Sequence, residues 1–202
     1  MAQETQKETS CKSPFFISYC ITDPIIYGST PEKFEKSLRY VLENNTIDIL
    51  CFRDKISDNK KELARICLKI SKEFSIDKVL INSDIELCYS LGFDGIHFNS
   101  LQFVALEKIK PKELFTIISC HTEEEIIKAK SLNVNAVTYS PIFYKENKGK
   151  PKGLKKLSQM VKKYQDQNFS IVALGGIISN KHILEIAKSE AKGFASIRYF
   201  KF

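Results

Sequence analysis

The sequence predicts an α/β fold, a single-domain TIM-type (β/α)8 barrel, on three observations. Eight short runs rich in Val, Ile, Phe, Leu and Tyr recur along the 202 residues, and helix-period segments lie between them. The runs are continuous rather than alternating, which is how strands buried on both faces read. Connections of that length favour parallel pairing, and eight right-handed crossovers close a sheet into a barrel. A doubly wound open sheet is the alternative, but it offers no reason for eight units, and the chain has no early GxGxxG.

Taken in order, the strands are FFISYCITD, IDILCFRDK, DKVLINS, DGIHFNS, LFTIISCH, NAVTYSPIF, SIVALGGI and KGFASIRYF. STPEKFEKSLRYVLENN reads as a helix with Ser29 or Thr30 as N-cap and Pro31 in the first turn. SDIELCYSLG is a shorter helix that stops at Gly92. Thr122, followed three residues later by Glu125, forms a capping box for HTEEEIIKAKSLN. SNKHILEIAKSE is capped by Ser179 or Asn180. The eighth helix is expected to be missing or reduced. Phe200 and Phe202 are read as covering that gap or as meeting another subunit of a homo-oligomer.

Bulk properties narrow the function classes. Hydrophobic residues make up 43% and charged residues 27%, an ordinary globular balance that argues against disorder. No apolar run approaches the roughly 20 residues of a membrane helix, so no membrane partner is expected. The start, MAQETQKETSCKSP, is polar without an apolar h-region. Residues 1–13 are expected to be a flexible tail, residues 14–202 the barrel, and the location cytoplasmic. The six cysteines, Cys11, Cys20, Cys51, Cys67, Cys88 and Cys120, are scattered without CxxC spacing, which argues against a disulfide framework or zinc site. The net charge of +7 raises a nucleic-acid reading. The lysines lie on separate helix faces and no aromatic residues interleave with them, so nucleic acid is not expected as a partner.

In a barrel, chemistry belongs at the C-terminal ends of the strands. Those ends carry Thr22–Asp23, Arg53–Asp54–Lys55, Asn82–Ser83–Asp84, Asn99–Ser100, Ser119–Cys120–His121, Lys145 to Lys150, Gly175–Gly176 and Ser196–Arg198. Cations, small donors and glycines dominate that set, which suits a phosphorylated small molecule. Gly175 and Gly176 before a helix fit a backbone cradle for phosphate, with Arg198 adding a charge-assisted bond. The plainer alternative is a tight turn and nothing more. Arg53 and Lys55 are read as alternating along the second strand, both facing the mouth, against a salt bridge as the alternative. His121 directly follows the fifth strand, where an acid or base could act. His97, inside GIHF, reads as structural, and His182 as solvated.

YCITD, FRDK, LINSDIELCYSLGFDGIHF, ISCHTEEEIIKA, YSPIFYKENKGKPKGL, VALGGI and GFASI occur in that order and span almost the whole chain. On these motifs the sequence resembles the thiamine-phosphate synthase and TenI superfamily, (β/α)8 barrels that act on thiazole phosphates. The resemblance implies substrate contacts at Arg53, Lys55, Asn82 and Lys148, and a catalytic pair at Ser119 and His121. It implies a phosphate site at Gly175, Gly176, Ser196 and Ile197, with Arg198 standing where the family has a serine. Cys51 replaces a glutamine two places before Arg53, and Lys145 and Asn147 replace two threonines.

The synthases of this superfamily hold Mg²⁺ on two aspartates, and here those positions read Ser83 and Gln102. Asp84 lies one residue from the first. Mg²⁺ prefers anionic oxygen ligands, so no cofactor is expected unless the chain is a synthase. The resemblance therefore implies a metal-independent, TenI-like thiazole tautomerase with His121 as acid and base. The alternatives are a thiamine phosphate synthase, joining hydroxymethylpyrimidine diphosphate to thiazole phosphate, and a non-catalytic binder of thiamine precursors.

Overall fold

A computed structural model describes residues 16–109, 114–146 and 149–201. The tail expected over residues 1–13, Cys11, Asn147, Lys148 and Phe202 lie outside the described residues. The eight strands are β1 (Ile17–Ile21), β2 (Ile49–Phe52), β3 (Lys78–Asn82), β4 (Gly95–Phe98), β5 (Phe115–Cys120), β6 (Ala136–Tyr139), β7 (Ser170–Leu174) and β8 (Gly193–Ser196). They pair in parallel in sequence order, and β8 returns to β1 through Ile17↔Gly193 and Tyr19↔Ala195 to close the barrel.

Period-two alternation with both faces covered explains why these strands are mostly apolar. Tyr19, Ile21, Ile49, Cys51, Leu80, Ile117, Ala136, Val172 and Ala195 fill the barrel interior. Their neighbours Cys20, Leu50, Phe52, Val79, Ile81, Ile96, Ile118 and Val137 face the helices instead. Both faces are dry, so the few polar side chains among them, such as His97, Thr116 and Thr138, are buried with hydrogen-bond partners. The Cys20 and Cys51 thiols are pushed up to about 12, first by burial, and the five described cysteines are all buried and free.

The outer layer consists of α1 (Pro24–Tyr27), α2 (Pro31–Asn44), α3 (Lys60–Ser71), α4 (Ile85–Leu91), α5 (Phe103–Ile109), α6 (Glu123–Ser131), α7 (Gly153–Tyr164) and α8 (Asn180–Ala187). Each long helix buries one stripe, such as Phe34, Leu38, Val41 and Leu42 on α2. Thr30 is the N-cap of α2 and Ser179 that of α8, which resolves both expected pairs. Thr122 and Glu125 form the full capping box on α6, and Gly92 ends α4 in the left-handed region at φ 73°.

Two helices were not legible in the sequence. α1 is a single turn capped by Asp23, and α5 buries only Phe103 and Leu106, too little for a periodic signal. Among the described residues no helix follows β8. Phe200 takes that place: it is 1% exposed and stacks on Phe194 with ring centroids 5.7 Å apart. It therefore covers the gap and is not a subunit contact. No helix among the described residues is long and apolar enough to cross a membrane.

Candidate functional site

The turn after β7 is built by two glycines in conformations that L side chains rarely adopt, Gly175 at φ 95° and Gly176 at φ 73°. They are also pinned from outside. A Cβ at Gly175 would lie 2.9 Å from Pro141 Cα, and one at Gly176 2.6 Å from the Tyr144 carbonyl oxygen. The Ile142 and Phe143 N–H groups donate to Leu174 O and Gly175 O, each at 3.0 Å. The glycines thus seat the β6–α7 loop against the β7–α8 turn.

That same loop carries His121's partner. His121 Nδ1 lies 3.1 Å from Ser140 O and 3.2 Å from Ser140 Oγ. A carbonyl only accepts, so the pairing places the proton on Nδ1 and leaves the Nε2 lone pair available. Nε2 has no partner among the described residues. The His121 N–H donates to the Glu125 carboxylate, which fixes the backbone at the start of α6. Ser140 touches His121 and the adjoining Pro141 packs on Gly175, so the imidazole and the glycine turn share one support.

Ser119 sits two residues before His121 on β5, yet it bonds elsewhere. Its Oγ is 3.0 Å from His97 Nε2, and Thr138 Oγ1 donates to it at 3.3 Å. His97 Nδ1 is 2.8 Å from the Tyr19 hydroxyl. Burial, and then the field of Arg53, push the His97 imidazole down to about 3. His97 is therefore the neutral centre of a network inside the barrel. His182 also departs from its sequence reading. It stacks on Phe143 with centroids 4.1 Å apart, and its Nδ1 accepts from the Ile178 N–H.

Arg53 and Lys55 do not alternate along β2, because that strand ends at Phe52 and both residues lie in the following loop. The Arg53 guanidinium pairs with Asp23 at 2.5 Å, the salt bridge weighed as the alternative. Thr22 Oγ1 accepts from the Arg53 N–H at 2.8 Å and holds the loop. Lys55 is exposed and shares a cleft of about 400 Å³ with Asp54, Ser57, Lys60, Asn82, Ser83 and Asp84. The Asn82 amide donates to His97 O at 3.0 Å.

Ser83 is held in the left-handed region at φ 63°, an uncommon place for a residue with a Cβ. Three hydrogen bonds fix it. Its N–H donates to His97 O at 3.0 Å, Gln102 Nε2 donates to its carbonyl at 3.1 Å, and Asn99 Nδ2 donates to its hydroxyl at 3.1 Å. Gln102 Oε1 in turn accepts from the Asn99 N–H and Nδ2 at 3.0 and 2.9 Å. Asp84 is engaged as the N-cap of α4, accepting from the Leu87 N–H, and it pairs with Lys60 Nζ at 2.6 Å. Partial burial works to raise the Asp84 carboxyl, but Lys60 and the Leu87 N–H outweigh it and hold the carboxyl low.

At the end of β8, the buried Ser196 hydroxyl donates to Ile177 O at 2.9 Å and accepts from the Arg198 and Tyr199 N–H groups, both at 3.1 Å. It ties the loop after β7 to the turn after β8, so its own oxygen is committed. Arg198 is exposed.

The family model described as thiamine monophosphate synthase matches residues 18–200. The chain belongs to this family. The thiamine-phosphate synthase of Caldicellulosiruptor bescii is 29% identical, covering 85% of this chain and 82% of its own. That of Lactococcus lactis subsp. cremoris is 27% identical over 75% and 72%. A thiamine phosphate pyrophosphorylase from Pyrococcus furiosus superposes with a TM-score of 0.74 at 21% identity, over 90% of this chain and 85% of that one. This last likeness concerns the fold.

Within the family frame, the two positions implied to hold Mg²⁺ carry the hydroxyl of Ser83 and the amide of Gln102, and both are spent on each other's loop. The neighbouring carboxylate, Asp84, has both oxygens engaged. A hard dication needs anionic oxygens, so this donor set does not fit Mg²⁺. Sequence reasoning missed Tyr19, Thr138 and Ser140 as partners of site residues, and placed Asp23 at a strand end without naming it as the partner of Arg53. Asp23 and Ser140 follow the ends of β1 and β6, where a strand-end signal could flag them.

Proposed function

We propose that the chain is a metal-independent, TenI-like thiazole tautomerase of the thiamine pathway. The observation that carries the reading is the closed neutral network of Ser83, Asn99 and Gln102 where a synthase would place carboxylates for Mg²⁺. A tautomerase needs a phosphate grip and one group that takes and returns a proton, and no divalent ion.

His121 supplies the proton transfer. Its Nε2 lone pair accepts a proton from the thiazole ring, and the imidazolium returns it at the position that leaves the ring aromatic. The Ser140 carbonyl at 3.1 Å holds the Nδ1–H and so keeps Nε2 facing the ring. The ester phosphate lies against the backbone of Gly175, Gly176 and Ile197, with Ser196 bracing the loops and Arg198 adding charge. Arg53, Lys55 and Asn82 are assigned to the carboxylate end of the substrate; Lys148, outside the described residues, is assigned there from the family resemblance alone. The reading is tested by following ring-proton exchange of a thiazole carboxylate phosphate by NMR in D₂O. Wild-type exchange that His121→Ala loses supports it, and exchange unaffected by the substitution contradicts it.

The synthase reading keeps one specific support. The curated relatives are thiamine-phosphate synthases, and Arg53 and Lys55 stand where that reaction would hold diphosphate. A non-catalytic binder would retain affinity for thiazole phosphate with no exchange in either protein.

A further inference from the structure

We infer that Ser119 is held as a dedicated hydrogen-bond donor towards the barrel mouth, and that Tyr19, His97 and Thr138 are the positioning residues that make it so. The inference rests on the reading above only for the nature of the ligand.

The donors and acceptors can be counted. Tyr19 is 0% exposed and His97 2%, so each must satisfy its polar atoms inside the protein. A neutral imidazole has one N–H and one lone pair. The Tyr19 phenol, pushed well above its ordinary value first by burial and then by its neighbour Cys51, keeps its proton, and we assign that proton to the 2.8 Å contact with His97 Nδ1. The ring proton then resides on Nε2, which donates to Ser119 Oγ at 3.0 Å, the shorter of its two contacts, with Thr138 Oγ1 at 3.3 Å from the same nitrogen. Thr138, itself fully buried, donates to Ser119 Oγ at 3.3 Å. Both lone pairs of Ser119 are thereby filled. Its own proton has no acceptor among the described residues, and Ser119 is only half-buried.

The location follows from the neighbouring strand. Ser119 reaches Thr138 and His121 reaches Ser140, two residues further along the neighbouring chain segment, so both groups lie near the C-terminal end of β5. A ligand atom opposite Ser119 must therefore be an acceptor, a carboxylate oxygen or a ring nitrogen carrying a lone pair. A donor such as an amino group would face a hydroxyl with no lone pair left. The site thus selects for an anionic or basic heterocycle edge beside His121.

The test uses the full-length protein, whose three histidines make imidazole ¹⁵N spectra simple to assign. His97 is expected as the neutral Nε2–H tautomer from pH 5.5 to 8.5, while Ser119→Ala leaves that tautomer unchanged. Tyr19→Phe is expected to shift His97 towards Nδ1–H, because the donor to Nδ1 is gone. An Nδ1–H tautomer in the wild type, or titration of His97 in this range, overturns the inference. In a second measurement, Ser119→Ala and Tyr19→Phe should each weaken binding of a thiazole carboxylate phosphate roughly threefold to tenfold. The double variant should be no weaker than Ser119→Ala, and additive losses overturn the inference. The expected tautomer in a protein that binds no thiazole would uphold the relay and refute the tautomerase reading.

Discussion

Gln102 Nε2 donates to the backbone carbonyl of Ser83 at 3.1 Å, tying the loop after β4 to the loop after β3 by a neutral amide. The bond holds Ser83 at φ 63° and uses donors where a metal would need acceptors. Gln102→Ala should therefore destabilise the protein by about 1 kcal/mol, seen as a lower denaturation midpoint. Calorimetric titration with Mg²⁺ should give no heat of binding for either protein.

Gly176→Ala should disturb both fold and site. A Cβ there meets the Tyr144 carbonyl at 2.6 Å and Phe143 C at 2.7 Å, backbone atoms that cannot swing aside. The positive φ adds strain of about 1 kcal/mol. Thermal melting should show a destabilised variant, and binding of inorganic phosphate should weaken alongside.

His121→Asn removes the Nε2 base but leaves a side chain near Ser140. Ring-proton exchange should fall by roughly 10²–10⁴-fold while phosphate affinity stays within about twofold. Phosphate affinity is read separately by titration, because Gly175 contacts Pro141 and not the imidazole.

His97 gives a pH signature in stability. Its folded-state value, about 3, lies below the unfolded value near 6.5, so the unfolded chain binds the extra proton between them. Stability is whole above pH 6.5 and falls as the pH drops, with a slope approaching about 1.4 kcal/mol per pH unit from this group. His97→Gln should flatten that slope between pH 6.5 and 4.5. Below that, carboxylates such as Glu123, held down to about 2 first by Lys163, add their own loss.

The barrel was readable because its strands are buried on both faces, and such runs stand out in a sequence. Caps at Thr30, Thr122 and Ser179 were readable because the chemistry is local. The site was readable only as far as strand ends can be found. Arg53 and Lys55 read as strand residues because FRDK continues the β2 run past its end at Phe52, and Arg53's partner Asp23 lies 30 residues away. His97 looked structural because Tyr19 and Ser119 are separated from it by 78 and 22 residues. Closure of the barrel alone brings those groups together.

The central claim is proton transfer on a thiazole phosphate without a divalent ion. The most direct measurement follows two reactions in parallel, with excess EDTA and with Mg²⁺: thiazole tautomerisation, and formation of thiamine phosphate from hydroxymethylpyrimidine diphosphate plus thiazole phosphate. The account predicts tautomerisation at equal rates in both conditions and no thiamine phosphate in either. Thiamine phosphate formed only when Mg²⁺ is present would contradict it.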